Sequence, residues 1–238
     1  VGDVFDARVE PDFSGGDARV ALADTYARLN LARSFRISAG QFKRAFSIFE
    51  LSSSTDLPII ERDGRIEGVS GCPGVGGVCT FSRISERLHF DGRDLGLRAE
   101  GDVSTRVHYA ATLTNGEGKN APDANYSKSM SGRVVLALTD AFNLAGFGGV
   151  HDYVGADSAA HQARAIGADV EVGTWRKGFH LVAGMVAGDN WLVGTDAGFS
   201  SAQALVSVYI PLRPGGWFAA VEPLLRAGWT TTETAVGT

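Results

Sequence analysis

Apolar and polar residues alternate with a period of two over long segments, and this limits the chain more than any other feature. In residues 21–31, Ala21, Ala23, Thr25, Ala27, Leu29 and Leu31 are neutral and mostly apolar, while the intervening Asp24 and Arg28 carry every charge. Leu95, Leu97 and Ala99 alternate likewise with Asp94, Arg98 and Glu100. Ile166, Ala168, Val170 and Val172 oppose Asp169 and Glu171, and Val221, Leu225, Ala227 and Trp229 oppose Glu222 and Arg226. Such a period belongs to strands with two unlike faces. The pattern predicts an all-β chain of eleven strands, near 2–10, 20–31, 35–43, 92–101, 104–114, 131–140, 142–152, 163–174, 178–188, 202–211 and 217–229.

Strand length then selects the architecture. Most of these segments run for eight to thirteen residues, whereas a globular strand has about five or six and a tilted membrane-crossing strand about 9–11. The connections also alternate. Short turns fall at 32–34, 102–103, around 140–142, 175–177 and 212–216, and longer loops at 11–19, 44–91, 115–130, 153–162 and 189–201. Phe35, Phe142, Trp175, Phe179 and Trp217 all lie beside short turns, as in the aromatic girdle of a membrane barrel. An antiparallel transmembrane β-barrel of one domain over residues 1–238 is expected, with a long loop at 44–91. No apolar run approaches the roughly 18 residues of a membrane helix, which leaves a barrel possible.

Bacterial single-chain barrels have even strand numbers, and the polar tail 230–238 offers no closing aromatic strand. With Val1 in first place and no signal peptide, the chain reads as a piece of a longer protein, cut at the C-terminal end at least. Composition removes other classes. At 44% hydrophobic and 21% charged the chain is too apolar for disorder, and a net charge of −5 argues against a nucleic-acid partner. The 31 glycines follow no collagen period. Cys72 and Cys79, spaced unlike a zinc site, suggest a local disulfide closing a Gly-rich loop in an oxidising compartment, with two unpaired thiols as the alternative.

Particular stretches resemble a known family. Leu22-Ala23-Asp24-Thr25-Tyr26-Ala27-Arg28-Leu29 and Ser38-Ala39-Gly40-Gln41-Phe42-Lys43-Arg44-Ala45-Phe46-Ser47 look like the phosphate-selective porin O and P family. So do Glu50-Leu51, Ile60-Glu61-Arg62 and Gly92-Arg93-Asp94-Leu95-Gly96. The resemblance covers roughly residues 1–120, with Gly-Gln-Phe-Lys before a long loop as its most specific element. It implies an outer-membrane porin of about sixteen strands, trimeric in its best-known members, with a long loop folded into the lumen. A homotrimer in bacterial outer-membrane lipid is the corresponding expectation. In phosphate-selective members arginines line the lumen and lysines cluster at the constriction.

The charges speak both for and against an anion path. Arginine outnumbers lysine 18 to 4, and its fork suits phosphate oxygens. Strand parity places Arg8, Arg28, Arg36, Arg98, Arg106, Arg133 and Arg226 on the polar face, together with Asp6, Asp24, Asp94, Glu100, Asp169, Glu171 and Glu222. Seven face seven. In the 44–91 loop, Arg44, Arg62, Arg65, Arg83 and Arg87 meet seven carboxylates, Glu50, Asp56, Glu61, Asp63, Glu67, Glu86 and Asp91, for a net of −2, and Lys43 lies just before it. The loop has no lysine cluster. An arginine ladder for anions and mutual ion pairing along a general diffusion pore both stand as readings.

Other chemistry finds no support in the motifs. The five histidines form no H-E-x-x-H motif, Gly68-Val69-Ser70-Gly71-Cys72 lacks the last glycine of a nucleophile elbow, and Gly74-Val75-Gly76-Gly77 has no following Lys-Ser/Thr. Asp169 and Glu171 share a face as catalytic carboxylates could, yet in a barrel they simply point into water. Asn115-Gly116-Glu117-Gly118 with Asp123 does not match an EF-hand. No enzyme, cofactor or metal is expected. The sequence reads as a passive channel for small polar or anionic solutes, phosphate among them, against the alternative of a secreted soluble carbohydrate-binding β protein.

Overall fold

The computed structural model describes residues 4–13, 21–53, 80–123, 125–155, 157–193, 197–212 and 218–233. Its strands are β1 (Phe5–Asp12), β2 (Ala21–Ala32), β3 (Phe35–Lys43), β4 (Arg93–Asp102), β5 (Val107–Thr114), β6 (Ser129–Thr139), β7 (Phe142–Val154), β8 (Ala160–Gly173), β9 (Phe179–Asp189), β10 (Gly198–Val208), β11 (Ile210–Pro211), β12 (Ala220–Val221) and β13 (Leu224–Thr232). Ten consecutive strands and β13 form one antiparallel meander in the order β1 to β10 and then β13, and β11 pairs with β12 apart from it.

Each face is continuous across the ladder. One rung joins Val134, Gly146, Ala168, Met185, Ala202 and Trp229. This apolar face has no second sheet over it among the described residues: Ile166 is 73% exposed, Leu225 69%, Met185 64% and Trp229 58%. A soluble sandwich would bury such side chains between two sheets, so their exposure in unbroken rows is the outward band of a membrane barrel. The secreted sugar-binding alternative loses its physical basis here.

The tightest apolar packing lies on the opposite, inner face. It joins Phe46, Phe49, Phe81, Ile84, Leu88 and Phe90 from the β3–β4 loop to Phe147, Ala163, Ala165, Val186 and Phe199 from the strands. Two short helices, α1 (Ile48–Leu51) and α2 (Phe81–Arg87), carry Phe49, Phe81 and Ile84, and Phe46, Leu88 and Phe90 flank them. The wall is low where they land. Phe147 lies across Gly167, where an added Cβ would sit 2.4 Å from the ring and 2.4 Å from the Met185 carbonyl oxygen.

Most strand positions agree with the periodicity, and the exceptions have local causes. The final strand begins at Leu224 rather than 217, because Pro211 and Pro223 lack the N–H that a ladder needs and β11–β12 closes separately. The expected short turn at 212–216 is therefore the longer connection 209–223. Strand β5 begins at Val107 rather than 104, because the Ser104 hydroxyl accepts from the N–H groups of Arg106 and Val107 in a turn. Trp217 lies outside the described residues.

Candidate functional site

Parity brings charges together on the inner face of β1–β5. Asp6 pairs with Arg28 at 3.0 Å, and Arg28 also reaches Glu100 at 3.2 Å. Glu100 is shared further by Arg98 at 2.5 Å and Arg36 at 3.8 Å, so three guanidinium groups surround one carboxylate. Toward the end with long loops, Asp24 lies between Arg93 at 2.7 Å and Arg8 at 3.7 Å. Toward the end with short turns, Asp102 accepts from His108 at 2.7 Å and lies 3.5 Å from Arg33 and 3.7 Å from Arg36. With Glu10 on Arg8, this ladder holds the cations Arg8, Arg28, Arg33, Arg36, Arg93 and Arg98 and the anions Asp6, Glu10, Asp24, Glu100 and Asp102. Alternate residues of a strand are about 7 Å apart, so rungs of opposite charge follow one another down the wall.

The inner face of β6–β10 differs, because the loop covers it. Arg133 and Asp169 form a two-pronged pair at 2.5 and 2.6 Å, with side chains only 8% and 2% exposed. Both are on the face that parity assigns them, but α1 and its lead-in lie over them. Arg133 donates to the Phe46 carbonyl at 3.0 Å, and Asp169 accepts from the Ile48 N–H at 3.0 Å. Asp169 does not point into water as its strand position suggests, and Glu171 on the same face accepts from His180 at 3.0 Å.

The root of the loop is also fixed. Lys43 donates to the carbonyls of Glu50 at 2.6 Å and Ser52 at 2.8 Å, where a short helix leaves acceptors free. Arg44, 1% exposed, donates to the Met130 carbonyl at 3.1 Å and to that of His89. Burial pushes its guanidinium down to about 10, against the pull of Asp94 and Asp91, so it remains charged at neutral pH. Ser47 donates to Asp91 at 2.6 Å, and the Gly92 N–H donates to the same carboxylate at 2.9 Å. Burial nevertheless pushes Asp91 up to about 6, with those hydrogen bonds and Arg44 opposing the rise. His89 touches the Gly116 carbonyl through Nδ1 at 2.6 Å, and Trp191 Nε1 donates to the Leu88 carbonyl at 2.9 Å.

Several residues singled out in the sequence stand elsewhere. Arg106 is exposed in the β4–β5 turn, outside any strand. Asp94 turns away from the ladder and accepts from the N–H groups of Leu95 and Gly116. Arg226 donates to Gln203 at 2.8 Å. Arg83, half-buried and paired with Glu86 at 3.0 Å, and the exposed Arg87 both lie on α2. Arg62, Arg65, Cys72 and Cys79 lie outside the described residues. Glu117 accepts from Asn125 and Asp123 pairs with Lys128, so the 115–123 loop brings no ligand set together; no metal-binding cluster occurs among the described residues. Glu10, Arg33, Arg93, Asp102 and His108 complete the ladder without having been picked out in the sequence. For Asp102 and Arg93 the signal was present, since they share the parity of Asp94, Arg98 and Glu100 or flank it.

The comparisons with known proteins agree with this geometry. The family described as phosphate-selective porin O and P matches residues 1–76. No curated protein matches the chain. Among solved structures, the outer membrane channel DcaP of Acinetobacter baumannii matches with a TM-score of 0.59 and 11% identity. That match covers 96% of this chain and 62% of the channel's own length. The resemblance carried by Gly40-Gln41-Phe42-Lys43 is thus borne out, and the fold is that of an outer-membrane porin. The exposed apolar band and this family resemblance place the chain in a bacterial outer membrane.

Proposed function

We propose that this chain supplies a large part of the wall, and the constriction loop, of a passive water-filled channel for small polar solutes, anions among them. The observation that carries the reading is a loop packed against the inner face of a sheet whose outer face is apolar. This leaves the β1–β5 ladder as the open, charged side of the lumen. In this reading Arg28, Arg36, Arg98, Asp24 and Glu100 line the solute path, while Arg133 and Asp169 are removed from it.

Near-balance of charge along the ladder favours weak selectivity over a phosphate-specific site, because selectivity follows the net field at the narrowest ring. The three arginines around Glu100 give that field its positive part. Solutes move down their gradients, with no catalysis, cofactor or energy input. A homotrimer is the assembly that the family resemblance suggests.

The full-length protein in a planar bilayer under a KCl gradient tests this. Stable channels with a small reversal potential of anionic sign, shifted little by phosphate, are expected. Absence of channels from folded protein would overturn the reading. Strong phosphate block would replace general diffusion by a specific anion path.

A further inference from the structure

We propose that Arg133 and Asp169 are positioning residues that set the width of the constriction by holding the loop against the wall, rather than charges met by the solute. The inference rests on the channel reading above and adds to it the device that fixes the bore.

Helix α1 depends on the wall for its support. Four residues make about one turn, too short to persist without outside support. Its first N–H groups need acceptors. Ser47 Oγ takes that of Glu50 at 3.4 Å, and Asp169 takes that of Ile48. Asp169 comes from β8 and Arg133 from β6, two strands separated by β7. The Arg133 guanidinium lies over the Phe147 ring, 5.8 Å from its centroid, and that ring fills the space an added Cβ at Gly167 would take. Arg133 then completes the clamp through the Phe46 carbonyl. Two wall strands therefore grip the loop main chain on either side of Ser47, between Phe46 and Ile48, whose neighbours Phe46 and Phe49 enter the apolar cluster.

The grip also explains why a wall of this kind would bury an ion pair. A buried pair is often replaceable by apolar side chains without loss of stability, but apolar side chains could neither accept from Ile48 nor donate to Phe46. The fork geometry of arginine and the two oxygens of aspartate satisfy each other and one loop group each. The pair thereby converts a general hydrophobic contact into one register of loop on wall.

The test uses the full-length protein with R133Q/D169N, a double substitution that leaves net charge unchanged. Measurements are single-channel conductance, the size limit for neutral sugars in liposome swelling, and labelling of A45C by a membrane-impermeant maleimide over the background of the same protein without that cysteine. Ala45 is 0% exposed beside the clamp, so labelling reports loop release whether or not channels form. The expected result is a higher conductance, on the order of two-fold because bore governs passage, a larger size limit, and new labelling. If the double variant fails to fold, D169N alone serves; it keeps one acceptor for Ile48, and a smaller change in the same direction is expected. Unchanged size limit and labelling in a folded variant would overturn the inference. A changed reversal potential at constant size limit would also overturn it, because the pair would then act as pore charge. Wild-type protein without channels, but with A45C labelled only in the variant, would reject the channel reading and retain the clamp.

Discussion

The inner face of β1–β5 and that of β6–β10 belong to one sheet, built by the same alternation, yet they serve opposite ends. On β1–β5 the inward positions carry Asp6, Asp24, Arg28, Arg36, Arg98 and Glu100, which find their charged partners on these same strands. On β6–β10 the inward positions include Gly149, Gly167, Gly184, Ala163 and Ala165, and loop phenylalanines fill the space above: an added Cβ at Gly149 would sit 3.5 Å from Phe46, and at Gly184 3.1 Å from Phe49. Inward parity gives a side chain its face. Side-chain size then decides whether that face stays wet or receives a neighbour.

The largest effect is expected on the covered half. Phe46→Ala removes a ring 4.7 Å from Phe147 and 6.2 Å from Phe90, and should cost the docked loop about 3–5 kcal/mol. Protease nicking within the loop, with the barrel still resistant, would show it; equal resistance in both proteins would break the contrast between the two halves. Next comes the outer face. Ile166→Arg should lower barrel stability by about 2–4 kcal/mol if that position faces the bilayer midplane, read as the urea midpoint in liposomes, whereas a change near zero would remove Ile166 from lipid.

On the open half, Glu100→Gln leaves Arg98 without its carboxylate while Arg28 keeps Asp6 and Arg36 keeps Asp102. Anion over cation permeability should rise by a few-fold at 0.1 M salt, where the screening length is about 10 Å, and the rise should fade near 1 M, where it is about 3 Å. The smallest effect concerns pH. Burial pushes Asp91 up to about 6 from its ordinary 3.8, so the docked loop holds an extra proton between those values. Docking on this account is tightest below about pH 4 and weakens as pH rises through 6. Labelling of A45C, taken relative to a free thiol at each pH because the thiolate fraction itself rises with pH, should therefore be slower at pH 5 than at pH 7.5, and Asp91→Asn should flatten the difference.

Much of this was legible in the alternation itself. Asp24 with Arg28, and Arg98 with Glu100, declared their shared face by spacing, and the register then brought Arg28 to Asp6 and Arg36 to Glu100 across neighbouring strands. What lies upon a face is not a periodic property. The cover over Arg133 and Asp169 comes from Phe46 and Ile48, 87 and 121 residues away, so their burial could not be read locally. The loop helices did leave traces: Ser47 and Glu50 have capping-box spacing, and Phe81, Ile84 and Leu88 recur at helical intervals. Both are short enough for the surrounding strand periodicity to hide them. Arg106 was misplaced because Ser104 ends the hairpin with side-chain hydrogen bonds that no alternation records.

The most direct test of the division between an open charged wall and a covered one is the reversal potential of the full-length protein in a planar bilayer under a KCl gradient, measured for wild type and for Glu100→Gln. The account predicts weak anion preference in the wild type and a salt-sensitive increase in the variant. An identical reversal potential in the two, from channels of normal conductance, would contradict it by showing that solutes do not pass along β1–β5.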